Sequence, residues 1–230
     1  MTDRPWLHII GIGEDGLGGL SPAARSVLET AEVIIGGDRH HQLSDGISAE
    51  RVAWPSPFDA LVDEIKALRG KRLAILATGD PLWYSVGARL GRALPPGSIT
   101  FHPQISAFQL AACRLAWSLA DVETLTVHGR PVEQIIPHIC PGARLLVLTQ
   151  GAETPIEVAR ILTERGYAQS RLTVLANLGG PDEAISSAIA ETWSGLAPDF
   201  HVLAVECVAG QTAQVTGLTG LSDDFFQHDG

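Results

Sequence analysis

The stretch IIGIGEDGLGGLSP, Ile9 to Pro22, decides the fold. An apolar run enters it, five glycines follow, and Ser21-Pro22 supplies a helix Ncap and a first helical residue. The order implied is strand, backbone-rich loop, helix. Glycine has no Cβ, so such a loop brings backbone N–H groups close to a ligand.

Outward from there, apolar runs alternate with amphipathic stretches. Trp6 to Ile10, Val33 to Ile35, Leu73 to Ala77 and Ile99 to His102 are expected strands of a first half. Leu125 to His128, Leu145 to Thr149, Leu172 to Ala176 and His201 to Cys207 are those of a second. Leu73 to Ala77 is apolar throughout, as a parallel strand covered on both faces should be. Helices are expected from Ser21, from Ser56-Pro57 with Leu61, Ile65 and Leu68 on one face, over Trp83 to Leu94, and over Ser106 to Leu115. Further helices are expected over Val132 to Ile139, from Thr154-Pro155 with Val158, Ile161 and Leu162 inward, and from Pro181. This alternation predicts an α/β fold with mostly parallel sheets. Trp117 to Val122 reads as a join, giving sub-domains at 1–118 and 122–222 with a cleft between them, and a short linker at 223–230.

The 230 residues carry a formal net charge of −10 and no block of Lys or Arg, which argues against nucleic acid as a partner. Three widely spaced cysteines, Cys113, Cys140 and Cys207, make no metal-ligand spacing and fit a reducing compartment. No apolar run approaches the roughly 20 residues that span a bilayer. MTDRPWLHII is broken too early by Gly11 to act as a signal peptide. A soluble, cytoplasmic protein that holds no metal and binds no membrane is expected.

Strand after strand ends in a glycine loop: Gly36-Gly37, Gly79-Asp80-Pro81, His128-Gly129-Arg130, Gln150-Gly151 and Asn177-Leu178-Gly179-Gly180. Ligands of α/β sheets lie beyond the carboxyl ends of strands, so these loops are candidates for one site. Gly11-x-Gly13-x-x-Gly16 with Asp38 downstream matches a dinucleotide fingerprint, and a dinucleotide-dependent oxidoreductase is one reading. Two features oppose it. The helix start at Ser21-Pro22 falls after the motif has ended, and Glu14 and Asp15 put carboxylates where a pyrophosphate would lie.

GIGEDGLGGLSPAA, ATGDPLWYSVG (Ala77 to Gly87), HPQISAFQLAACRL (His102 to Leu115), VHGRP (Val127 to Pro131) and NLGGPDE (Asn177 to Glu183) together resemble the tetrapyrrole (corrin/porphyrin) methyltransferases. GIGEDG, the GGDRHH turn (Gly36 to His41) and HGR are most similar to the branch that methylates carbon 5 of precorrins in cobalamin biosynthesis. FFQHDG (Phe225 to Gly230) resembles the segment leading to a second methyltransferase domain in bifunctional C5,15-methylating, decarboxylating members.

The resemblance implies S-adenosyl-L-methionine as donor, S-adenosyl-L-homocysteine as product, a precorrin substrate and a homodimer. It assigns carbon 5 to this chain, and carbon 15 methylation and decarboxylation to the further domain. It places Gly13, Glu14, Gly79, Asp80, Pro81, Ile105, Ser106, Ala107, Gln150, Leu178 and Gly179 at the donor, the last three from the second domain. Asp80 would orient the donor, and His128 is the candidate for taking the proton lost from the substrate. Arg39, His40 and Arg130 would meet the substrate's carboxylates. His40 and His41 are not expected to hold a metal, because adjacent residues rarely converge on one ion. A catalytically silent corrin-binding half is the remaining alternative.

Overall fold

The computed structural model describes residues 5–215, so the expected linker at 223–230 and the FFQHDG segment lie outside the described residues. The chain divides into two compact units, one running to Leu110 together with Asn177–Glu183, the other Ala111–Ala176 together with the residues from Ala184 on.

In chain order the first unit holds β1 (Leu7–Ile12), α1 (Pro22–Glu29), β2 (Val33–Gly36), α2 (Asp38–Leu43), β3 (Glu50–Ala53), α3 (Leu61–Ala67), β4 (Leu73–Thr78), α4 (Val86–Ala93) and β5 (Ile99–His102). α5 (Ala107–Leu115) runs from this unit into the next. The strand order is β3-β2-β4-β1-β5, and all four pairings are parallel. Alternate residues of one strand go to opposite faces. Leu7, Ile9, Val33, Ile35, Leu73 and Ile75 therefore pack with Leu61 and Ile65 of α3 and Leu90 of α4. Ile10, Ile12, Ile34, Ala74 and Leu76 pack with Ala24 and Leu28 of α1. Both faces are covered, which is why these strands read as unbroken apolar runs.

The second unit holds β6 (Glu123–Thr126), β7 (Arg144–Leu148), α6 (Thr154–Glu164), β8 (Arg171–Ala176), β9 (Ala184–Ile189) and β10 (His201–Glu206), in the strand order β6-β7-β10-β8-β9. Leu145, Val147, Leu172, Val174, Leu203 and Val205 pack on Val158, Ile161 and Leu162 of α6.

Several expectations are corrected here. This second sheet is mixed rather than mostly parallel: β6 and β7 are parallel, whereas β10 is antiparallel to β7 and β8, and β9 is antiparallel to β8. The helix expected from Pro181 is strand β9, whose six residues find backbone partners along β8. Val132–His138 is 3-10 rather than α-helical, with Pro137 inside it lacking the N–H an α-helix would use. The GGDRHH turn is the start of helix α2. The 3-10 turn Leu119–Asp121 marks the expected join, whereas the division between the compact units falls earlier, within α5. Among the described residues no helix is long and apolar enough to cross a membrane.

Candidate functional site

The carboxyl edge of the first sheet is where its loops interlock, and Gly11 is the reason they can. Gly11 lies in β1, paired with Ala77 of β4. A methyl group added to it would run into the Gly79 carbonyl oxygen and stand 2.8 Å from the Gln104 backbone nitrogen. In the space left free, the Gly79 N–H donates to the Ile12 carbonyl at 3.1 Å and the Gln104 N–H donates to the Gly79 carbonyl at 3.3 Å. The Gln104 side-chain amide donates to the Gly19 carbonyl. The segments after β1, β4 and β5 are thus stitched together through backbone.

The glycine motif after β1 does not open a helix. Gly16, at φ +57°, begins a 3-10 turn over Gly16–Gly18, and α1 starts only at Pro22, with the Ala24 N–H donating to the Ser21 hydroxyl at 3.2 Å. The arrangement of a dinucleotide fold, a helix N-terminus facing the pyrophosphate, is not present at this loop.

Glu14 and Arg39, expected at different ligands, form an ion pair with each other. An added Cβ on Gly180 would stand 3.0 Å from the Glu14 Cβ, so the glycine admits Glu14 beside the 177–183 loop. That loop belongs to the first unit, not the second as expected for Leu178 and Gly179. Leu178 is buried, and the Gly179 N–H donates to Glu183 Oε2 at 2.7 Å.

His40 supplies no cation near neutral pH. Burial, reinforced by Arg39 and His41, lowers its pKa to about 4. Its Nδ1 accepts the Gly37 N–H at 3.2 Å, which leaves Nε2 as the N–H donor to Thr78 Oγ1 at 3.1 Å. The ring thereby ties the start of α2 to the end of β4. His41 Nε2 donates instead to the Val52 carbonyl at 3.2 Å. Among the described residues no group of three His, Cys, Asp or Glu is placed to hold a metal.

Asp80 is partly buried, and its Oδ1 accepts the Leu82 N–H at 2.7 Å, so one of its oxygens shapes the turn that follows it. Pro81 is buried and Ile105 exposed. Ser106 is buried and caps α5: its N–H donates to Gln109 Oε1 at 2.8 Å, and its hydroxyl faces the Gln109 N–H at 3.4 Å. This is the reciprocal Ser-x-x-Gln capping box, and Ala107 is the first residue of the helix. Gly13 is partly exposed.

The remaining candidates lie in the second unit. His128, Gly129 and Arg130 form an exposed turn after β6, and Gln150, also exposed, follows β7 with its N–H donating to Thr154 Oγ1 at 3.2 Å. β6 and β7 are parallel neighbours, so these two loops share one edge of their sheet. Sequence reading missed the Glu14–Arg39 pair and the His40–Thr78 bond, which join residues far apart in the chain. The Ser106–Gln109 box did have a local signal.

A parallel sheet with a glycine-mediated loop edge, joined to a mixed α/β unit, defines a class. Residues 6–192 match the Tetrapyrrole (Corrin/Porphyrin) Methylases, and the chain belongs to that family. Within it, the chain is 42% identical over 229 residues to a precorrin-6Y C(5,15)-methyltransferase (decarboxylating) of Sinorhizobium sp, covering 98% of this chain and 55% of that protein. It is 30% identical over 181 residues to the cobalt-precorrin-7 C(5)-methyltransferase of Salmonella typhimurium, covering 78% of this chain and 88% of that protein. The solved precorrin-6Y methylase of Archaeoglobus fulgidus superposes with a TM-score of 0.62 at 25% identity, covering 89% of this chain and 98% of that one. The chain spans about half the length of the first curated relatives it matches.

Proposed function

We propose that the chain transfers a methyl group from S-adenosylmethionine to carbon 5 of a precorrin intermediate of cobalamin biosynthesis. One observation carries the reading. The chain covers 88% of a relative named for C(5) methylation alone, but 55% of one named for C(5,15) methylation with decarboxylation. Carbon 5 chemistry is what the two names share. Carbon 15 methylation and decarboxylation then go with the part of the longer relative that this chain does not span.

The residues of the loop edge suit the donor's chemistry. Positions 79–84 and 104–107 hold no Lys or Arg, and Asp80 offers a carboxylate. A pyrophosphate would find too few cations here, whereas a nucleoside bearing a sulfonium needs none. When bound, S-adenosylmethionine supplies an electrophilic methyl group, and attack on it by carbon depends on alignment. Gly13, Gly79, Pro81, Ile105, Ser106, Ala107, Leu178 and Gly179 act through backbone and packing, and Asp80 and Glu14 complete the donor contacts. Gln150, His128 and Arg130 act from the second unit, with His128 as proton acceptor and Arg130, with Arg39, toward substrate carboxylates. His40 contributes by holding Thr78 rather than by charge. The protein works as a cytoplasmic homodimer with a second methyltransferase domain beyond 223–230. Its sub-domains are 1–118 and 122–222, save that the 177–183 loop belongs to the first compact unit and that the second unit begins within α5.

Calorimetric titration with S-adenosylhomocysteine tests the donor site; saturable heat is expected, and silence at millimolar ligand overturns the reading. Incubation with methyl-labelled donor and a precorrin unmethylated at carbon 5 then tests transfer. Macrocycle binding without label transfer would instead support the silent corrin-binding half. Enhanced NADH fluorescence on mixing would restore the oxidoreductase.

A further inference from the structure

Beside the Gly-Asp-Pro loop the chain turns three large apolar side chains outward. Leu82, Tyr84 and Ile105 are 51%, 44% and 55% exposed. Their grouping is built by two devices. The first is the turn: Asp80 Oδ1 accepts the Leu82 N–H, and the Trp83 N–H donates to the Asp80 carbonyl at 3.3 Å. The second is Gly79, at φ +63°, where an added Cβ would stand 2.9 Å from the Ser106 Cα and 3.3 Å from the Ile105 carbonyl oxygen. That close approach brings Ile105 to the turn. Phe108 is buried against this turn, with the Trp83 ring at 5.1 Å and the Tyr84 ring edge-on at 6.1 Å.

Tyr84 is also strained. Its φ of +52° lies in the left-handed region, which costs a residue with a Cβ about 1–2 kcal/mol and which glycine enters freely. Packing on Phe108 explains an aromatic ring there but not the 44% of it that faces solvent. Strain held at an exposed aromatic residue beside a loop edge is the pattern of a ligand contact. Large apolar side chains exposed on one turn and on the segment that its glycine meets point the same way.

We infer that Leu82, Tyr84 and Ile105 form an apolar platform that takes one face of the tetrapyrrole macrocycle. The inference rests on the precorrin reading above and adds to it the surface that holds the ring rather than its rim. A carboxylated tetrapyrrole presents two chemistries. Its rim is anionic and calls for cations, while its broad face is largely apolar and is matched by aromatic and aliphatic side chains. Leu82 and Tyr84 bring no charge, so they discriminate by shape and apolar area. The Ile105 backbone stays at the Gly79 contact while its side chain extends the platform.

The test uses Tyr84→Gly and Leu82→Ser in the full chain, with uroporphyrin as macrocycle probe and quenching of tryptophan fluorescence as readout. The wild type is expected to bind the probe without donor present. Each variant should lose about tenfold or more in probe affinity, with S-adenosylhomocysteine affinity by calorimetry changed by less than about threefold. Tyr84→Gly trades the relieved torsion against the lost Phe108 contact and the greater freedom of the unfolded chain, so its melting temperature should stay close to that of the wild type. Unchanged probe affinity in both variants overturns the platform, and an equal loss of S-adenosylhomocysteine affinity overturns it by placing the turn at the donor. If Tyr84→Gly fails to fold, Leu82→Ser carries the test alone, since it alters an exposed side chain and no strained torsion. A wild type that binds S-adenosylhomocysteine but not uroporphyrin overturns the platform and leaves methyl transfer standing. One that binds uroporphyrin without transferring label to precorrin supports the platform and overturns the transfer reading.

Discussion

The two units end their strands in similar glycine loops and secure them by different means. In the first, Gly11 admits the Gly79 carbonyl, Gly180 admits Glu14, Glu14 pairs with Arg39, and His40 reaches Thr78. Each loop is held by another loop. In the second, nothing lies within 4 Å of a Cβ added at Gly129 or Gly151, and His128, Arg130 and Gln150 stand exposed around them. At the first sheet's loop edge Gly11 and Gly180 mark close approaches between chain segments. At the second sheet's edge Gly129 and Gly151 mark a change of backbone direction and little more.

The strongest way to break this comparison is to add one methyl group in each place. Gly11→Ala puts a Cβ against backbone that no side-chain rotation can move. It should cost about 4 kcal/mol or more, or prevent folding, as urea denaturation would show. Gly129→Ala meets no neighbour and carries only the left-handed penalty at φ +66°, so about 1–2 kcal/mol is expected. Equal costs would mean that the interlocking at Gly11 is not what distinguishes the first edge.

How far the chain foretold this is clearest residue by residue. Leu73 to Ala77 reads as a strand covered on both faces, and Leu73 and Ile75 do go to one core cluster while Ala74 and Leu76 go to the other. β9 was not legible, because AISSAI becomes a strand only by pairing with β8, and Pro181 mimics a helix start. α2 escaped for a different reason: its first N–H groups are met partly by the His40 ring, which is no customary cap. At the site, what depends on near neighbours was readable, as in Ser106 with Gln109. The pairing of Glu14 with Arg39 and the fit of Gly79 over Gly11 depend on chain crossings, and no local pattern encodes them. Those crossings also altered the reading of His40, which looked like a surface cation until burial and two hydrogen bonds fixed it as a neutral ring.

That neutrality gives the next test, one that acts through pH. The His40 pKa is about 4 in the folded protein against an ordinary 6.5, so below pH 6.5 the unfolded chain takes a proton that the folded one resists. His40 therefore costs no stability above pH 6.5, and stability is lost progressively as pH falls from 6.5 to about 4. At about 1.4 kcal/mol per unit the loss approaches about 3 kcal/mol as an upper bound. His40→Gln should flatten that slope in urea titrations while keeping a donor for Thr78. In the second unit burial also lowers His201, but the Pro198 carbonyl and Asp199 favour its proton, so His201→Gln should flatten the slope less. A wild-type slope unchanged by His40→Gln would show that the ring does not anchor the first edge.

The smallest expected effect asks whether the two regions are independent. Thr173 of β8 is buried, and its hydroxyl shares a 2.8 Å hydrogen bond with that of Ser187 on β9. Ser187→Ala leaves a buried hydroxyl unpaired and should cost about 1 kcal/mol, most of it recovered when Thr173→Val is added, since removing both partners removes the unmet hydrogen bond. β9 follows directly on the 177–183 loop, which packs with the first unit beside Glu14. If the interlocked edge is held by its own crossings, Ser187→Ala will lower the urea midpoint and leave S-adenosylhomocysteine affinity as it was. A fall in that affinity matching the loss of stability would mean that the loop takes its position from the mixed sheet, and the first edge would then be only as firm as the strand that delivers its last segment.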